Sequence, residues 1–221
     1  MRQFSSGDII YLIEAVRWTL ALSVIAFVGG GLVGILLVLA RLSRFNPIQI
    51  VSIIFIQVMQ GTPLLIQLFI WFFGLSLLGA NLPAFLAAGI SLTLYASAFF
   101  AEIWRGSIEA IPRTQWDGSI SLGITRFEQL RYVIVPQAVK LATPPTVGFM
   151  VQIVKNTSIT ALIGFVELAR AGQLVSNATF QPLPTFVTVA LLYFVLCFPL
   201  SLVSRLLERR FHVGRATVWS A

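Results

Sequence analysis

The chain has 221 residues, of which 57% are hydrophobic and only 10% are charged. A soluble globular protein carries about 25% Asp, Glu, Lys and Arg, so this chain has too little charge to cover a surface that faces water. The composition therefore excludes an ordinary soluble domain and predicts an integral membrane protein. One membrane span needs about 20 residues, so about five or six spans fit this length.

The net charge of +7 comes from fifteen Lys and Arg against eight Asp and Glu. In a soluble protein this excess would suggest a nucleic-acid partner. In a membrane protein it indicates orientation, because basic residues collect in cytoplasmic loops. The single Cys197 excludes a disulfide within the chain, and the single His212 excludes a histidine-rich metal site. We therefore expect no metal, no cofactor and no nucleic acid on this chain.

Uncharged runs and the turn formers between them predict five spans in one domain, residues 1–221. Turn formers at residues 79–83 divide the longest uncharged run, and prolines at 182 and 184 precede the last span. The predicted spans are residues 18–40, 48–78, 84–104, 136–154 and 185–204. Asp8 and Glu14 interrupt any apolar signal-peptide core, so we expect the first span to be retained. The fold class is an all-α integral membrane protein with a charged loop, 105–135, and a connecting segment, 156–184.

Five spans place the two termini on opposite sides of the membrane. With the amino terminus outside, eleven basic residues fall in the cytoplasm: Arg41, Arg44, Arg105, Arg113, Arg126, Arg131, Lys140, Arg205, Arg209, Arg210 and Arg215. Four fall outside: Arg2, Arg17, Lys155 and Arg170. Because basic residues favour the cytoplasmic side, we predict an outside amino terminus, a cytoplasmic carboxyl terminus and a cytoplasmic loop 105–135.

The loop 105–135 has a periodic pattern of its own. Apolar residues at 108, 111, 116, 120 and 122 recur at near-helical spacing. Pro112 can begin a helix and Gly123 can end one. The pattern predicts a short amphipathic helix over 113–122 and a second helical stretch over 126–133. Such a helix could lie on lipid headgroups or dock a partner protein, and the residues alone leave both interpretations open.

The same loop resembles a known motif. Asp117-Gly118-Ser119, then three residues, Gly123, nine residues and Val133-Ile134-Val135-Pro136 is similar to the EAA loop of ABC importer permeases. That loop reads Glu-Ala-Ala, three residues, Gly, nine residues and Ile-x-Leu-Pro. Further fragments resemble polar amino-acid permeases of the histidine, glutamine and arginine type: Gly61-Thr62-Pro63-Leu64-Leu65, Glu102-x-x-Arg105-Gly106, Pro136-Gln137-Ala138 and Lys155-Asn156-Thr157-Ser158. Together they cover about residues 15–210.

The resemblance implies a function and a set of partners. It implies the non-catalytic permease subunit of an ATP-driven importer of polar amino acids, multi-pass in a bacterial inner membrane, with a type I importer fold. It implies a second permease (a copy or a paralogue), two ABC ATPase subunits, an extracytoplasmic solute-binding protein and surrounding lipid. The chain has no Gly-Lys-Ser or Gly-Lys-Thr, so ATP and Mg would be on the ATPases. The implied ATPase-coupling residues are Arg113, Asp117, Gly118, Ser119 and Gly123.

Polar residues within the spans are candidates for a solute pathway, because a polar side chain that faces lipid is costly. Gln57, Gln60 and Thr62 lie in the second span beside an expected break at residues 61–63. Gln60 and Gln67 are seven apart and are expected on one helix face. Each glutamine could instead hydrogen-bond a neighbouring helix. Gln60 stands at the position before Gly-Thr-Pro where many of the polar amino-acid permeases that this chain resembles carry Arg.

Three further pathway candidates, Lys155, Thr157 and Glu167, follow the fourth span. Lys155 could attract a solute carboxylate or extend to the membrane interface. Glu102 and Arg105 are three apart at the end of the third span, and this spacing predicts a structural ion pair.

Gly30 and Gly34 are four apart in the first span, which predicts a close helix contact.

Two other function classes remain to be weighed. An ion-coupled secondary transporter usually has inverted repeats and buried acids. Five spans cannot be divided into two equal repeats, and no acid lies in the middle of a predicted span. A small membrane enzyme fits less well, because the chain has one His, no Cys pair and no acidic cluster.

Overall fold

The computed structural model describes residues 3–43 and 45–212. All regular secondary structure within these residues is helical. The helices are, in chain order, α1 (Ser6–Leu42), α2 (Asn46–Gly61), α3 (Leu64–Leu77), α4 (Ala84–Glu109), α5 (Arg113–Ser121), α6 (Val135–Asn156), α7 (Leu168–Thr179) and α8 (Pro182–His212). A short helix, Arg126–Glu128, and a π-helical turn, Gln129–Ile134, lead into α6 and confirm the helical stretch predicted over 126–133. A 3-10 helix, Thr157–Ile163, follows α6.

These lengths confirm the predicted all-α fold class. Helices α1, α4 and α8, and α6 with its flanking turns, are each long and apolar enough to cross a membrane. Helices α2 and α3 pass the same test only as a pair, bent by 105° between them. The described residues therefore contain four spanning helices, or five spans when the bent pair is counted as one. We call the end of the bundle that carries residues 110–125 the loop end, and the end that carries residues 157–181 the cap end.

Helix α1 begins twelve residues before the span predicted from the uncharged run. Its start is fixed by a capping box, in which Asp8 accepts hydrogen bonds from the backbone N–H and hydroxyl of Ser5 at 2.9 and 3.0 Å. The added turns bury Leu12 and Ala15 against α7 and α8. Hydropathy misses this segment because Glu14 and Arg17 lie on its exposed side.

Helices α1 and α4 meet along small residues, as the glycine spacing predicts. A Cβ atom on Gly30 would lie 2.7 Å from the Cβ of Ala96, and one on Gly34 would lie 3.1 Å from the Cβ of Phe100. The distance at Gly30 is too short for an added methyl group, and the distance at Gly34 would require Phe100 to shift slightly. The glycines therefore let two backbones approach, and Phe100 is fully buried at this contact.

The second span is divided by two extended residues. Thr62 and Pro63 have φ/ψ of −112°/141° and −60°/134°, and Pro63 has no N–H with which to continue the helix. The break frees carbonyl groups at the end of α2. Gln67 occupies this gap and donates its amide to the carbonyls of Met59 (2.8 Å) and Thr62 (3.1 Å), with the Thr62 hydroxyl at 2.9 Å.

The bend also corrects the expected placement of two glutamines. Gln67 is buried, with 4% of its surface exposed, whereas Gln60 is exposed. They do not share a helix face, because helical periodicity holds only within a continuous helix and the chain is extended between them. The predicted span 48–78 is therefore two helices.

The close contact of α1 with α4 predicts that Gly30→Val destabilises the protein by about 1–3 kcal/mol, the usual cost of overpacking. Gly31→Val is the matched control, because it makes the same change one residue along. A Cβ there would meet only the edge of the Trp104 ring, at 3.9 Å. Tryptophan fluorescence during thermal unfolding in detergent compares the two. Equal unfolding temperatures would contradict the assignment.

The bend predicts a second effect on stability. Gln67→Leu removes the donor for two carbonyls at the end of α2, and a buried unsatisfied group costs about 1–3 kcal/mol. Gln57→Leu is the control, because the Gln57 side chain is exposed and makes no hydrogen bond within the described residues. We expect Gln67→Leu, and not Gln57→Leu, to increase protease cleavage near residues 61–63. Equal cleavage in both variants would show that Gln67 does not hold the bend.

Candidate coupling surface and solute pathway

Helix α5 lies at the loop end, where the sequence predicts a helix over 113–122. It begins after Pro112, and Gly123 follows its last turn with a φ of +71°. This left-handed conformation suits glycine and costs other L residues free energy. The N–H of Gly123 donates to the carbonyl of Ile120 at 2.9 Å, so the turn ends the helix as predicted.

The predicted coupling residues fall into an exposed group and one buried residue. Arg113, Asp117, Gly118 and Gly123 are exposed. Ser119 is 4% exposed and donates to the carbonyl of Trp116 at 2.7 Å. The first four can contact a partner, whereas Ser119 attaches α5 to the bundle.

Gln129 holds α5 in place, and the sequence reasoning missed this residue. Its buried amide donates to the carbonyl of Trp116 at 2.8 Å and to the hydroxyl of Ser119. The side chain thereby fixes α5 on the π-helical turn that leads into α6. Its partners are ten and thirteen residues away, so no local spacing rule could reveal the contact.

Glu102 and Arg105 belong to a charged network of four residues. Arg105 bonds Glu102 at 2.6 Å and also pairs with Glu109 on the same helix. Arg41 of α1 approaches Glu102 at 3.6 Å. The network ties α1 to α4 at the loop end, just before α5.

The three pathway candidates of the second predicted span are exposed, with Gln57 and Gln60 in the last turns of α2 and Thr62 at the bend. Gln60 donates to the carbonyl of Ala98 on α4 at 3.3 Å, so it bonds a neighbouring helix while remaining accessible. Thr62 donates to the carbonyl of Val58 at 2.7 Å. Gln57 makes no hydrogen bond within residues 3–43 and 45–212.

The structure places Glu167 in a buried position rather than along an open path. Its carboxylate caps α7 by accepting from the N–H groups of Ala169 (3.0 Å) and Arg170 (2.9 Å). It also accepts from Tyr193 of α8 at 2.8 Å and Thr19 of α1 at 3.4 Å. Burial raises the pKa of this carboxyl, although the hydrogen bonds oppose the shift. Glu167 therefore joins three helices at the cap end.

The other two candidates near the cap end differ in exposure. Thr157 is fully buried, and its hydroxyl donates to the carbonyl of Val154 at 2.8 Å. Lys155 is exposed and lines a cavity of about 820 Å³ between α6 and α8. The sequence suggested Lys155 but not the cavity, because the cavity exists only where α8 packs beside α6.

No group of three or more His, Cys, Asp and Glu in the described part of the chain is arranged to hold a metal ion.

Comparison with known proteins gives a consistent assignment. Residues 28–213 match the family described as "Binding-protein-dependent transport system inner membrane component". The probable glutamine ABC transporter permease protein GlnM of Bacillus subtilis is 34% identical over 87% of this chain and 89% of its own length. The L-cystine transport system permease protein TcyB of the same organism is 33% identical, over 88% and 84%.

A solved structure described as an amino acid ABC transporter with histidines is also similar to this chain. Its TM-score is 0.87 at 35% identity, and the match covers 90% of this chain and 94% of that one. The fold of the bundle, the exposed helix α5 and these matches agree. The chain belongs to the family of binding-protein-dependent transport system inner membrane components, the multi-pass permease subunits of ABC transporters, in which the ATPase is a separate subunit.

Proposed function

We propose that this permease imports a polar amino acid or a related small solute into the cytoplasm, driven by ATP hydrolysis on partner subunits. The observation that carries the proposal is α5, an exposed helix ended by Gly123 and fixed to the bundle by Gln129. The relatives named for glutamine and L-cystine support the solute class, as does the solved amino acid transporter.

The proposed complex contains two permeases, two ABC ATPases and one solute-binding protein. The second permease is a copy of this chain or a paralogue, and together they enclose the pathway. The family description, which specifies dependence on a binding protein, supports the last partner. ATP and Mg would be held by the ATPases, because the sequence has no Gly-Lys-Ser or Gly-Lys-Thr.

The loop end is proposed to face the cytoplasm. The distribution of eleven basic residues against four favours this orientation, although Arg2, Arg44 and Arg215 of that count lie outside the described residues. It would also direct α5 toward cytoplasmic ATPases. The amino terminus would then be outside and the carboxyl terminus inside.

In the proposed mechanism, movement of the ATPases is transmitted through α5. Gln129 would pass this movement to α6, because it bonds α5 from the turn that precedes α6. Arg41 and Glu102 would keep α1 and α4 together at the same end. The permease would thus supply different contacts in two conformations, with the exposed Gln60 and Thr62 at the bend available to the solute.

The coupling role predicts that Gly123→Glu uncouples the ATPase. The variant places a bulky acidic residue at φ +71°, and left-handed backbone costs about 1–2 kcal/mol for an L residue. We expect ATPase stimulation by loaded binding protein to fall by about tenfold. Gly79→Glu is the control, because Gly79 has a φ of +85° and equally open surroundings but lies away from α5. Normal recovery and stimulation of the ATPase in Gly123→Glu would reject the docking assignment.

The pathway role predicts a transport effect for Gln60→Leu. Loss of one polar contact with the solute should reduce uptake by about two- to tenfold, with unchanged recovery of the assembled complex. Uptake kinetics and thermal unfolding are measured on the same preparation. A lower unfolding temperature with unchanged uptake would mean that Gln60 only bonds α4 through Ala98.

A further inference from the structure

The charged residues that line the cavity between α6 and α8 are all positive. Its charged lining residues are Lys155 and Arg205, and no Asp or Glu lines it. The next acid along α8, Glu208, is outside the lining. Its volume is about 820 Å³, and it is an open groove rather than an enclosed pocket.

Glu167 lies behind the cavity wall and is held by its own hydrogen-bond partners. Tyr193 lines the cavity and donates its hydroxyl to Glu167 at 2.8 Å, so the carboxylate lies behind the tyrosine. Glu167 is fully buried, and both of its oxygens already accept hydrogen bonds. A solute in the cavity therefore meets no free carboxylate.

The neutral polar groups of the wall have oxygen atoms that can accept hydrogen bonds. Gln152 donates its amide to the side-chain oxygen of Asn156 at 3.0 Å, which leaves its own carbonyl oxygen available. Ser201 and Ser204 donate to the carbonyls of Cys197 (3.0 Å) and Pro144 (2.9 Å), so their lone pairs remain. A hydroxyl has one donor hydrogen and two acceptor lone pairs. The charged hydrogen-bond donors that line the cavity are Lys155 and Arg205.

The two cations lie at different levels of the groove. The Ser204 hydroxyl lies beside Gly148, at 3.2 Å from the position of an added Cβ, which places the adjacent Arg205 near the level of Gly148. Lys155 is seven residues further along α6, or about 10 Å at 1.5 Å per residue. Both side chains are long and flexible, so one solute can contact a cation at each end.

We propose that this cavity binds an α-amino acid without a positively charged side chain. The α-carboxylate would bind Lys155, the ammonium group would donate to neutral oxygens such as that of Gln152, and Arg205 would contact a polar or acidic side chain. A lysine or arginine solute would add a positive side chain between two cations with no acid to pair it, and such like-charge contacts discriminate between ligands. This inference rests on the proposed function and specifies its solute class.

The first test uses the unmodified permease–ATPase complex in lipid nanodiscs without a solute-binding protein, so that selectivity belongs to the permease. Labelled glutamine is displaced by glutamine, glutamate, lysine or arginine. We expect glutamine and glutamate to compete at concentrations about tenfold or more below those of lysine and arginine, the ratio given by one charge-assisted contact. Equal competition by all four would overturn the proposal. Absence of glutamine binding, in a complex that transports glutamine with its binding protein, would also overturn it.

The second test compares the two lysines of the chain, which are both exposed on α6. Lys155→Gln should weaken binding of glutamine and glutamate by about tenfold. Lys155→Glu should shift the preference toward lysine. Lys140→Gln makes the same charge change outside the cavity lining and should leave binding unchanged. Equal effects at positions 140 and 155 would show that the cavity does not hold the carboxylate.

Failure of this inference can be distinguished from failure of the proposed function. If no amino acid stimulates the ATPase when presented with its binding protein, the proposed function is wrong. If glutamine stimulates the ATPase but charge does not affect competition, the import function stands and only the charge selection is rejected.

Discussion

The hydrocarbon core of a membrane supplies no water to bond backbone N–H and C=O groups, so the chain must satisfy them itself. Helices meet this requirement along most of the chain, but a break in a helix releases carbonyl groups that need other donors. At residues 62–63 the chain is extended, and one buried side chain, Gln67, bonds the carbonyls released at the end of α2. The 105° bend between α2 and α3 therefore depends on a hydrogen-bond donor supplied from beyond the break. The exposed Gln60 and Thr62 owe their positions to that bend.

A buried acid at the cap end meets the same requirement through its side chain. Glu167 is fully buried, yet it accepts bonds from two backbone N–H groups, Tyr193 and Thr19. Its burial is tolerable because each oxygen has partners, and the bonds join α1, α7 and α8. Arg41 and Glu102 join α1 to α4 at the other end. Polar groups thus hold α1 at Thr19 and at Arg41, and close contact through Gly30 and Gly34 holds it between them.

The coupling helix α5 and one wall of the cavity lie on one continuous part of the chain. Gln129 bonds α5, the turn that contains Gln129 leads into α6, and α6 carries Lys155 into the cavity beside α8. A displacement of α5 can therefore reach the cavity wall through one helix. Two sites are coupled when each of them shifts the equilibrium between two conformations of the same element. Helix α6 is such a shared element, so solute binding and ATPase contact can influence each other.

The sequence by itself determined the membrane class, five apolar segments, the helix α5 with its glycine stop and the small-residue contact of α1 with α4. These depend on composition and on spacings within one helix or turn, which are local properties of the chain. Tertiary structure decided the rest. Gln67 bonds the carbonyls at the bend instead of sharing a helix face with Gln60. Glu167 is buried, and Gln129 holds α5. Lys155 lines a cavity that has no Asp or Glu in its wall. Each of these depends on partners distant in sequence or across a break in a helix, where periodicity no longer predicts which side chains meet.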